Sequence, residues 1–265
     1  MQAQVGDIRM HWREVGAGDV VLFMHGFPFD SGMWAEQLDR IPRRFRLIAP
    51  DLRGFGSSTR GEAPVSMDRF ADDLVGLLDH LGIDRTVVCG LSMGGYVAFA
   101  LWRRHPDRIR ALVLCATRAG ADTEEARRAR FELAGRVREG GSRVAADEQV
   151  PRLLSERTFR DRPEVADRVR EMIESTDRAT IVAALEAMAA RPDSTPLLAG
   201  ISVPTLVVAG GDDRVVKAEE MRRMADAIPE ARFQTIPEAG HLPPLECPAE
   251  FNLALVHFLE AIQGH

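Results

Sequence analysis

Cysteine is scarce in this chain, and long apolar stretches are missing from it. The three cysteines among 265 residues, Cys89, Cys115 and Cys247, are widely spaced and form no CxxC pair. This spacing argues against a disulfide framework or a zinc site and predicts reduced thiols. No apolar run approaches the roughly 18 residues that a membrane-spanning helix needs. The first residues show neither the basic nor the apolar region of a secretory signal, so we expect a cytoplasmic protein without a membrane partner.

An excess of positive charge is also missing. The chain has 34 Lys and Arg residues against 40 Asp and Glu residues, a net charge of −6 and a pI of about 5.7. Nucleic-acid-binding domains usually carry a basic excess, so this balance argues against a nucleic-acid partner. With 45% hydrophobic and 28% charged residues, the composition is that of a folded globular protein. The length suits one α/β domain that carries an insertion.

Strand and helix patterns alternate in residues 1–119 and again in residues 196–265. Short apolar runs that end at Gly, Pro or Asp predict buried strands, and apolar residues at three- and four-residue steps predict helices between them. This order predicts an α/β fold with a doubly wound, mostly parallel sheet and helices on both faces. The predicted strands include residues 20–24, 45–49, 86–89, 109–115, 203–209 and 231–236.

Residues 120–195 have a different pattern, rich in Arg, Glu and Ala and without a convincing strand. Their charges nearly balance, as expected for solvated helix faces with paired side chains. We therefore expect an all-helical insertion between two parts of one core, residues 1–119 and 196–265. The four candidate helices are residues 123–139, 143–156, 163–175 and 178–190.

The strongest chemical signal is the only GxSxG pattern of the chain, Gly-Leu-Ser-Met-Gly at residues 90–94. It lies between a predicted strand and a predicted helix, where a sharp turn would raise the Ser92 hydroxyl above the sheet as a nucleophile. Such a turn leaves no room for side chains two residues before and after the serine, which accounts for Gly90 and Gly94. Glycine patterns that bind nucleotide phosphates are absent from the sequence, so no nucleotide is expected here.

A serine hydroxyl needs a general base, and His241 is the best candidate among the seven histidines. It follows the last predicted strand and precedes the last predicted helix, so its loop can reach the sheet edge that carries Ser92. We expect His25, in a turn after a strand, to support a loop rather than to move protons. His80, His105 and His257 lie on or near predicted helices and are interpreted as structural or solvent-facing. His11 lies in a predicted amino-terminal strand, and His265 is the last residue.

The base in turn needs a carboxylate that fixes its tautomer. Asp212 and Asp213 both follow the predicted strand 203–209 through two glycines, and we favour Asp213, with Asp122 as a distant third candidate. The chain order Ser92, Asp213, His241 is the order found when a triad is built on a doubly wound sheet.

An acyl-transfer site also needs hydrogen-bond donors for the negative oxygen that develops during the reaction. The turn itself positions the backbone N–H of Met93. The turn after the strand 20–24 reads His-Gly-Phe and would supply a second donor, the N–H of Phe27. We expect these two groups to form an oxyanion hole.

These motifs together resemble the α/β-hydrolase superfamily. The resemblance rests on His-Gly-Phe-Pro at residues 25–28 with Trp34 downstream, Gly-Leu-Ser-Met-Gly-Gly at residues 90–95, Gly-Gly-Asp-Asp at residues 210–213 and Gly-His at residues 240–241, together with the glycine-rich loop of residues 51–58. Within it, the chain resembles serine carboxylesterases and 3-oxoadipate enol-lactonases, with the cofactor-free haloperoxidase and perhydrolase branch nearby. The resemblance implies a helical cap over a pocket above Ser92 and no cofactor.

The predicted function is that of a serine hydrolase acting on small carboxylic esters or lactones through an acyl-enzyme, with no metal. Phe27, Trp34 and Met93 are the expected substrate-binding residues, and the cap residues Phe131, Leu133, Leu153 and Leu154 could also line the pocket. Each of these side chains could equally pack in the core. Carbon–carbon bond hydrolysis or perhydrolase chemistry with the same triad is an alternative, and a receptor-like binding module is a third interpretation. The sequence leaves a homo-oligomer open.

Overall fold

Eight β-strands form one sheet in the computed structural model, which describes residues 1–263. The strands are β1 (Gln2–Val5), β2 (Ile8–Val15), β3 (Asp19–Met24), β4 (Phe45–Pro50), β5 (Thr86–Leu91), β6 (Ile109–Cys115), β7 (Thr205–Gly210) and β8 (Arg232–Ile236). Their order in the sheet is β1-β2-β4-β3-β5-β6-β7-β8. Only the β1–β2 and β2–β4 pairs are antiparallel, so the predicted mostly parallel α/β sheet is confirmed.

The burial of the strands follows their place in the sheet. Every residue of β5 and β7 is buried, and both strands pair with parallel neighbours on either side. Their apolar runs follow from this burial, because helices cover both faces of a parallel sheet. Strand β2, near the antiparallel edge, alternates between buried and accessible residues along much of its length. The sequence patterns of these strands therefore distinguish a strand buried on both faces from one with an accessible face.

Within residues 1–263, six α-helices belong to the parts of the chain that form the sheet, and five others lie between β6 and β7. The first group is α1 (Ala35–Arg40), α2 (Met67–His80), α3 (Met93–Arg104), α9 (Ala218–Asp226), α10 (Pro243–Glu246) and α11 (Pro248–Ile262). The second is α4 (Glu124–Gly140), α5 (Ser142–Leu153), α6 (Glu156–Asp161), α7 (Pro163–Ser175) and α8 (Arg178–Ala189). In the described residues, no helix has the length and apolar content needed to cross a bilayer.

The inserted segment has one helix more than the sequence predicts. The expected helix over residues 143–156 ends at Leu153, and Leu154 takes an extended conformation. Ser155 then caps α6, because its hydroxyl accepts a hydrogen bond from the N–H of Thr158 at 3.2 Å. The prediction missed this break because the helical charge pattern continues across it. The proposed division into core and cap, with boundaries after residues 119 and 195, stays a prediction.

The inserted helices contact loops that follow the carboxyl ends of the strands. Thr176 donates its hydroxyl to the carbonyl of Pro28 at 2.8 Å, after β3. Thr180 donates to the carbonyl of Gly54 at 2.9 Å, after β4. The helical segment is therefore attached at the edge of the sheet where α/β proteins usually hold their ligands.

Candidate active site

Ser92 lies in a strained turn between β5 and α3, as the GxSxG pattern predicts. Its backbone has φ 54° and ψ −110°, a conformation that costs a non-glycine residue roughly 1–3 kcal/mol. A Cβ on Gly90 would lie 2.4 Å from the carbonyl oxygen of Gly94, and a Cβ on Gly94 would lie 2.3 Å from that of Met24. The two glycines therefore allow the turn to close and also let β3 approach it. The hydroxyl of Thr117 supports the turn by donating to the Ser92 carbonyl at 2.8 Å.

A continuous hydrogen-bond chain joins Ser92, His241 and Asp213. The Nε2 atom of His241 lies 2.8 Å from Ser92 Oγ, and its Nδ1 atom lies 2.8 Å from Asp213 Oδ2. The second carboxylate oxygen, Oδ1, accepts the backbone N–H groups of Val215 at 2.7 Å and Val216 at 2.9 Å. Because an ionised carboxylate only accepts, it selects the tautomer with the proton on Nδ1. The lone pair of Nε2 then faces the serine hydroxyl.

Glycines also bring the loops of Asp213 and His241 together. A Cβ on Gly210, at the end of β7, would lie 1.9 Å from the carbonyl oxygen of Gly240. A Cβ on Gly211 would lie 2.2 Å from the carbonyl oxygen of Pro237. Any side chain at these positions would push the two loops apart. The glycines therefore allow the Asp213 carboxylate to reach the His241 imidazole.

The other two candidate carboxylates point elsewhere. Asp212 is exposed, and its N–H donates to the carbonyl of Ala239 at 2.9 Å. Asp122 is buried between the guanidinium groups of Arg130 and Arg191. Burial alone would raise the pKa of Asp122, but hydrogen bonds and charge from the two arginines outweigh this and lower it. Of the three, only Asp213 touches His241, which agrees with the preference drawn from the sequence.

The backbone groups expected to form the oxyanion hole lie on two adjoining turns. The N–H groups of Phe27 and Met93 have no acceptor within residues 1–263. His25 fixes the Gly26–Phe27 peptide, because its Nδ1 lies 2.9 Å from the Gly26 carbonyl, while its Nε2 accepts the N–H of Leu52 at 3.1 Å. Burial lowers the pKa of His25, which favours the neutral ring that this pattern requires. His25 therefore supports a loop, as predicted.

The predicted substrate-binding side chains are placed unevenly. Phe27 is half-buried, and the side chain of Met93 is fully buried. Trp34 is also fully buried, with its ring 4.9 Å from Phe23 and 6.2 Å from Phe251 between ring centres, contacts typical of a core residue. The parts of Phe27, Trp34 and Met93 in substrate binding stay predictions.

The structure also places the predicted cap residues and shows one buried residue that the sequence analysis did not single out. Among the cap residues, Phe131 is 45% exposed beside Arg127, whereas Leu133, Leu153 and Leu154 are buried. His265 lies outside the described residues. The sequence analysis missed Glu246, whose buried carboxylate binds the segment next to His241. A single acid in the otherwise apolar stretch of residues 242–247 was the available signal.

Comparison with known proteins places the chain in a family. A model of the alpha/beta hydrolase fold matches residues 19–248. An esterase from Thermogutta terrifontis, solved with malate bound, is 46% identical, with a TM-score of 0.95 over 98% of this chain and 96% of that chain. The enol-lactonase from Burkholderia xenovorans is 31% identical, with a TM-score of 0.91 over 98% of this chain and 100% of that chain.

A curated relative gives the same picture. The 3-oxoadipate enol-lactonase 2 of Acinetobacter baylyi is 28% identical over 258 residues, which are 97% of this chain and 93% of that protein. The resemblance to esterases and enol-lactonases that the motifs indicated is thus confirmed. Since the family model covers most of the sequence, this chain belongs to the alpha/beta hydrolase fold family.

Proposed function

We propose that the protein hydrolyses small carboxylic esters or lactones, with Ser92 as the nucleophile. The observation that carries this proposal is the hydrogen-bond chain from Ser92 Oγ through the imidazole of His241 to Asp213, with both contacts at 2.8 Å. A hydroxyl, an imidazole and a carboxylate joined in this order by hydrogen bonds form the arrangement that converts a weak serine nucleophile into a strong one.

The mechanism follows from the positions of the polar groups. His241 Nε2 takes the proton of Ser92 as Oγ attacks the carbonyl carbon of the substrate, and Asp213 stabilises the imidazolium. The N–H groups of Phe27 and Met93 bind the oxyanion. Collapse of this oxyanion breaks the bond between the carbonyl carbon and the leaving oxygen, which takes the proton of the imidazolium and leaves as an alcohol or, in a lactone, stays attached as the opened end of the ring. A water molecule, deprotonated by His241, attacks the acyl-enzyme, and collapse of the second oxyanion releases the acid and returns the proton to Ser92.

The relatives support this class of substrate. The Thermogutta terrifontis relative is an esterase, and the Burkholderia xenovorans and Acinetobacter baylyi relatives are enol-lactonases. Both names describe cleavage of an acyl–oxygen bond, which one triad can perform on an open or a cyclic ester. The cytoplasmic location and a homo-oligomeric state stay predictions.

Substitution of the nucleophile tests the proposal. Ser92→Ala should lower kcat for a p-nitrophenyl ester by about 10⁶-fold, because the members of a triad act as a unit. Ser57→Ala is the matched control, since Ser57 is an exposed serine near the same edge of the sheet. A fluorophosphonate probe should label the wild type and the control but not Ser92→Ala.

A substrate panel separates the competing reactions. Esters of graded acyl length, an enol-lactone and a vinylogous diketone should be assayed side by side with the purified protein. If only the diketone is turned over, the proposed function is carbon–carbon bond hydrolysis instead of ester hydrolysis. Near-normal ester turnover by Ser92→Ala would contradict the assignment of the nucleophile, and a wild type that gains no fluorophosphonate adduct would favour a binding module.

A further inference from the structure

The loop that carries His241 is attached to the inserted helices as well as to the core. The backbone N–H of His241 donates to the carbonyl of Leu153, the last residue of α5, at 2.8 Å. Immediately before it, a Cβ on Gly240 would lie 2.7 Å from the backbone nitrogen of Ser155. The α5–α6 junction, residues 153–158, therefore lies directly against the backbone of the candidate general base.

A buried carboxylate extends this attachment. Glu246 ends the short helix α10, and its side chain is almost completely buried. Its Oε2 accepts the N–H of Ser155 and the hydroxyl of Thr158, both at 2.8 Å. Its Oε1 accepts the N–H of Leu242, the residue after His241, at 3.0 Å. One carboxylate thus binds the helical junction on one side and the chain next to the imidazole on the other.

An arginine reinforces the same contact from the helical side. Arg162, between α6 and α7, donates Nη1 to the backbone carbonyl of Glu246 at 3.0 Å. It leaves the carboxylate oxygens to the three neutral donors. Three donors satisfy a buried carboxylate far better than they would satisfy a neutral side chain, since charge-assisted hydrogen bonds are roughly twice as strong. The two carboxylate oxygens of Glu246 therefore match the three donors that face them.

We propose that Glu246 is a positioning residue that couples the α5–α6 junction to the imidazole of His241. The inference rests on the proposed function, because it assigns a consequence for catalysis to the placement of the general base. When the junction is seated on the carboxylate, Leu242 is held and the Nε2 atom of His241 faces Ser92. When the junction moves away, the N–H of His241 loses its hydrogen bond to the Leu153 carbonyl. Glu246 then no longer holds Leu242 in place.

Glu246→Gln is the most informative substitution, because glutamine has the same shape and only one acceptor oxygen. If that oxygen faces Ser155 and Thr158, the amide N–H₂ group meets the N–H of Leu242, and two donors oppose each other beside His241. The reverse orientation places the amide against the donors of the junction. Either way one side of the coupling is lost, while the bulk of the side chain remains.

The experiment measures kcat per titrated active site, KM and thermal stability of the full chain. Glu246→Gln should lower kcat per site by about 10- to 100-fold, the size expected from a displacement of about 1 Å in a catalytic group. KM should change by less than about threefold, because the pocket donors are untouched. Glu250→Gln, an exposed acid on the neighbouring helix α11, is the control and should match the wild type.

A second variant acts from the other side of the carboxylate. Thr158→Val keeps the shape of the side chain and removes one donor at a position far along the chain from His241. It should lower kcat per site in the same direction but less, and it should add nothing to Glu246→Gln, because both act through one group. This variant also serves if Glu246→Gln does not fold.

The outcomes separate the two proposals. A wild type that neither hydrolyses esters nor reacts with the fluorophosphonate would overturn the proposed function and, with it, the role of Glu246. An active wild type with Glu246→Gln and Thr158→Val equal to the control in kcat per site would overturn only the coupling. A lower melting temperature with fewer titratable sites but unchanged kcat per site would show a purely structural role and would also overturn it.

Discussion

The substitution Asp213→Asn tests how the hydrogen bonds of one carboxylate decide which ring nitrogen of His241 carries the proton. In the wild type, Oδ1 accepts two backbone N–H groups, those of Val215 and Val216, and Oδ2 faces His241 Nδ1. An asparagine has one acceptor oxygen and one donor group. The orientation that satisfies both backbone donors turns the amide N–H₂ group toward the imidazole, so Nδ1 must become the acceptor and the proton must lie on Nε2.

That tautomer cannot accept the proton of Ser92. A triad forced into it loses about 10⁴-fold in kcat, which corresponds to roughly 5 kcal/mol in the activation free energy. The fold should survive, because asparagine has the same volume and keeps the two backbone hydrogen bonds. We therefore expect a folded variant with a nearly unchanged KM for a p-nitrophenyl ester and a greatly reduced kcat.

Asp212→Asn provides the matched control for this prediction. Asp212 is the adjacent acid, but it is exposed and does not touch His241, so its kcat should stay within about threefold of the wild type. Steady-state rates should be compared after titration of active sites, with circular dichroism to confirm folding. The reasoning would be refuted if Asp213→Asn lost less than tenfold, or if Asp212→Asn lost more than Asp213→Asn.

The remaining predictions concern stability. Gly94→Ala should lower both the melting temperature and kcat, because its methyl group would lie 2.3 Å from the Met24 carbonyl oxygen. Gly135→Ala, in helix α4 with nothing within 4 Å, should instead stabilise the protein by about 0.5–1 kcal/mol; equal effects would contradict the packing argument. Because the folded-state pKa of Asp122 is lowered, its stabilisation is present above the ordinary value of 3.8 and is lost as the pH falls through the folded-state pKa. The advantage of the wild type over Asp122→Asn in melting temperature should therefore be full at pH 7 and shrink below about pH 4, and a pH-independent difference would exclude this linkage.

Much of the fold could be predicted from short stretches of sequence. The GxSxG turn, the helix that begins at Met93 and the final helix from Pro248 to Ile262 all lie where the pattern places them. Each depends on signals within a few residues, such as a glycine that permits a turn or a proline at the first helical position. The break between α5 and α6 also has a local signal, the N-cap Ser155, but the prediction continued the helix through it. The helical charge pattern continues across Ser155, so the sequence is also compatible with one unbroken helix.

The residues of the candidate site also differ in how far local sequence predicts them. Ser92 and His241 were predicted as site residues from their neighbours in sequence, and they are in contact although they are 149 residues apart. Glu246 was missed, because an acid within an apolar stretch does not show which donors will face it. Its partners, Ser155 and Thr158, come from the inserted helices about 90 residues earlier.

The sequence by itself determined the alternation of strands and helices, the strained turn at Ser92 and the three residue types that a hydrolytic site requires. These are properties of periodicity and of local backbone sterics, which act over a few residues. Only the tertiary structure decided that Asp213 rather than Asp212 faces His241, that Trp34 packs in the core and that the inserted helices hold the loop of His241. Such choices depend on contacts between distant segments, because the direction of a side chain is set by the packing of the loops that meet around it.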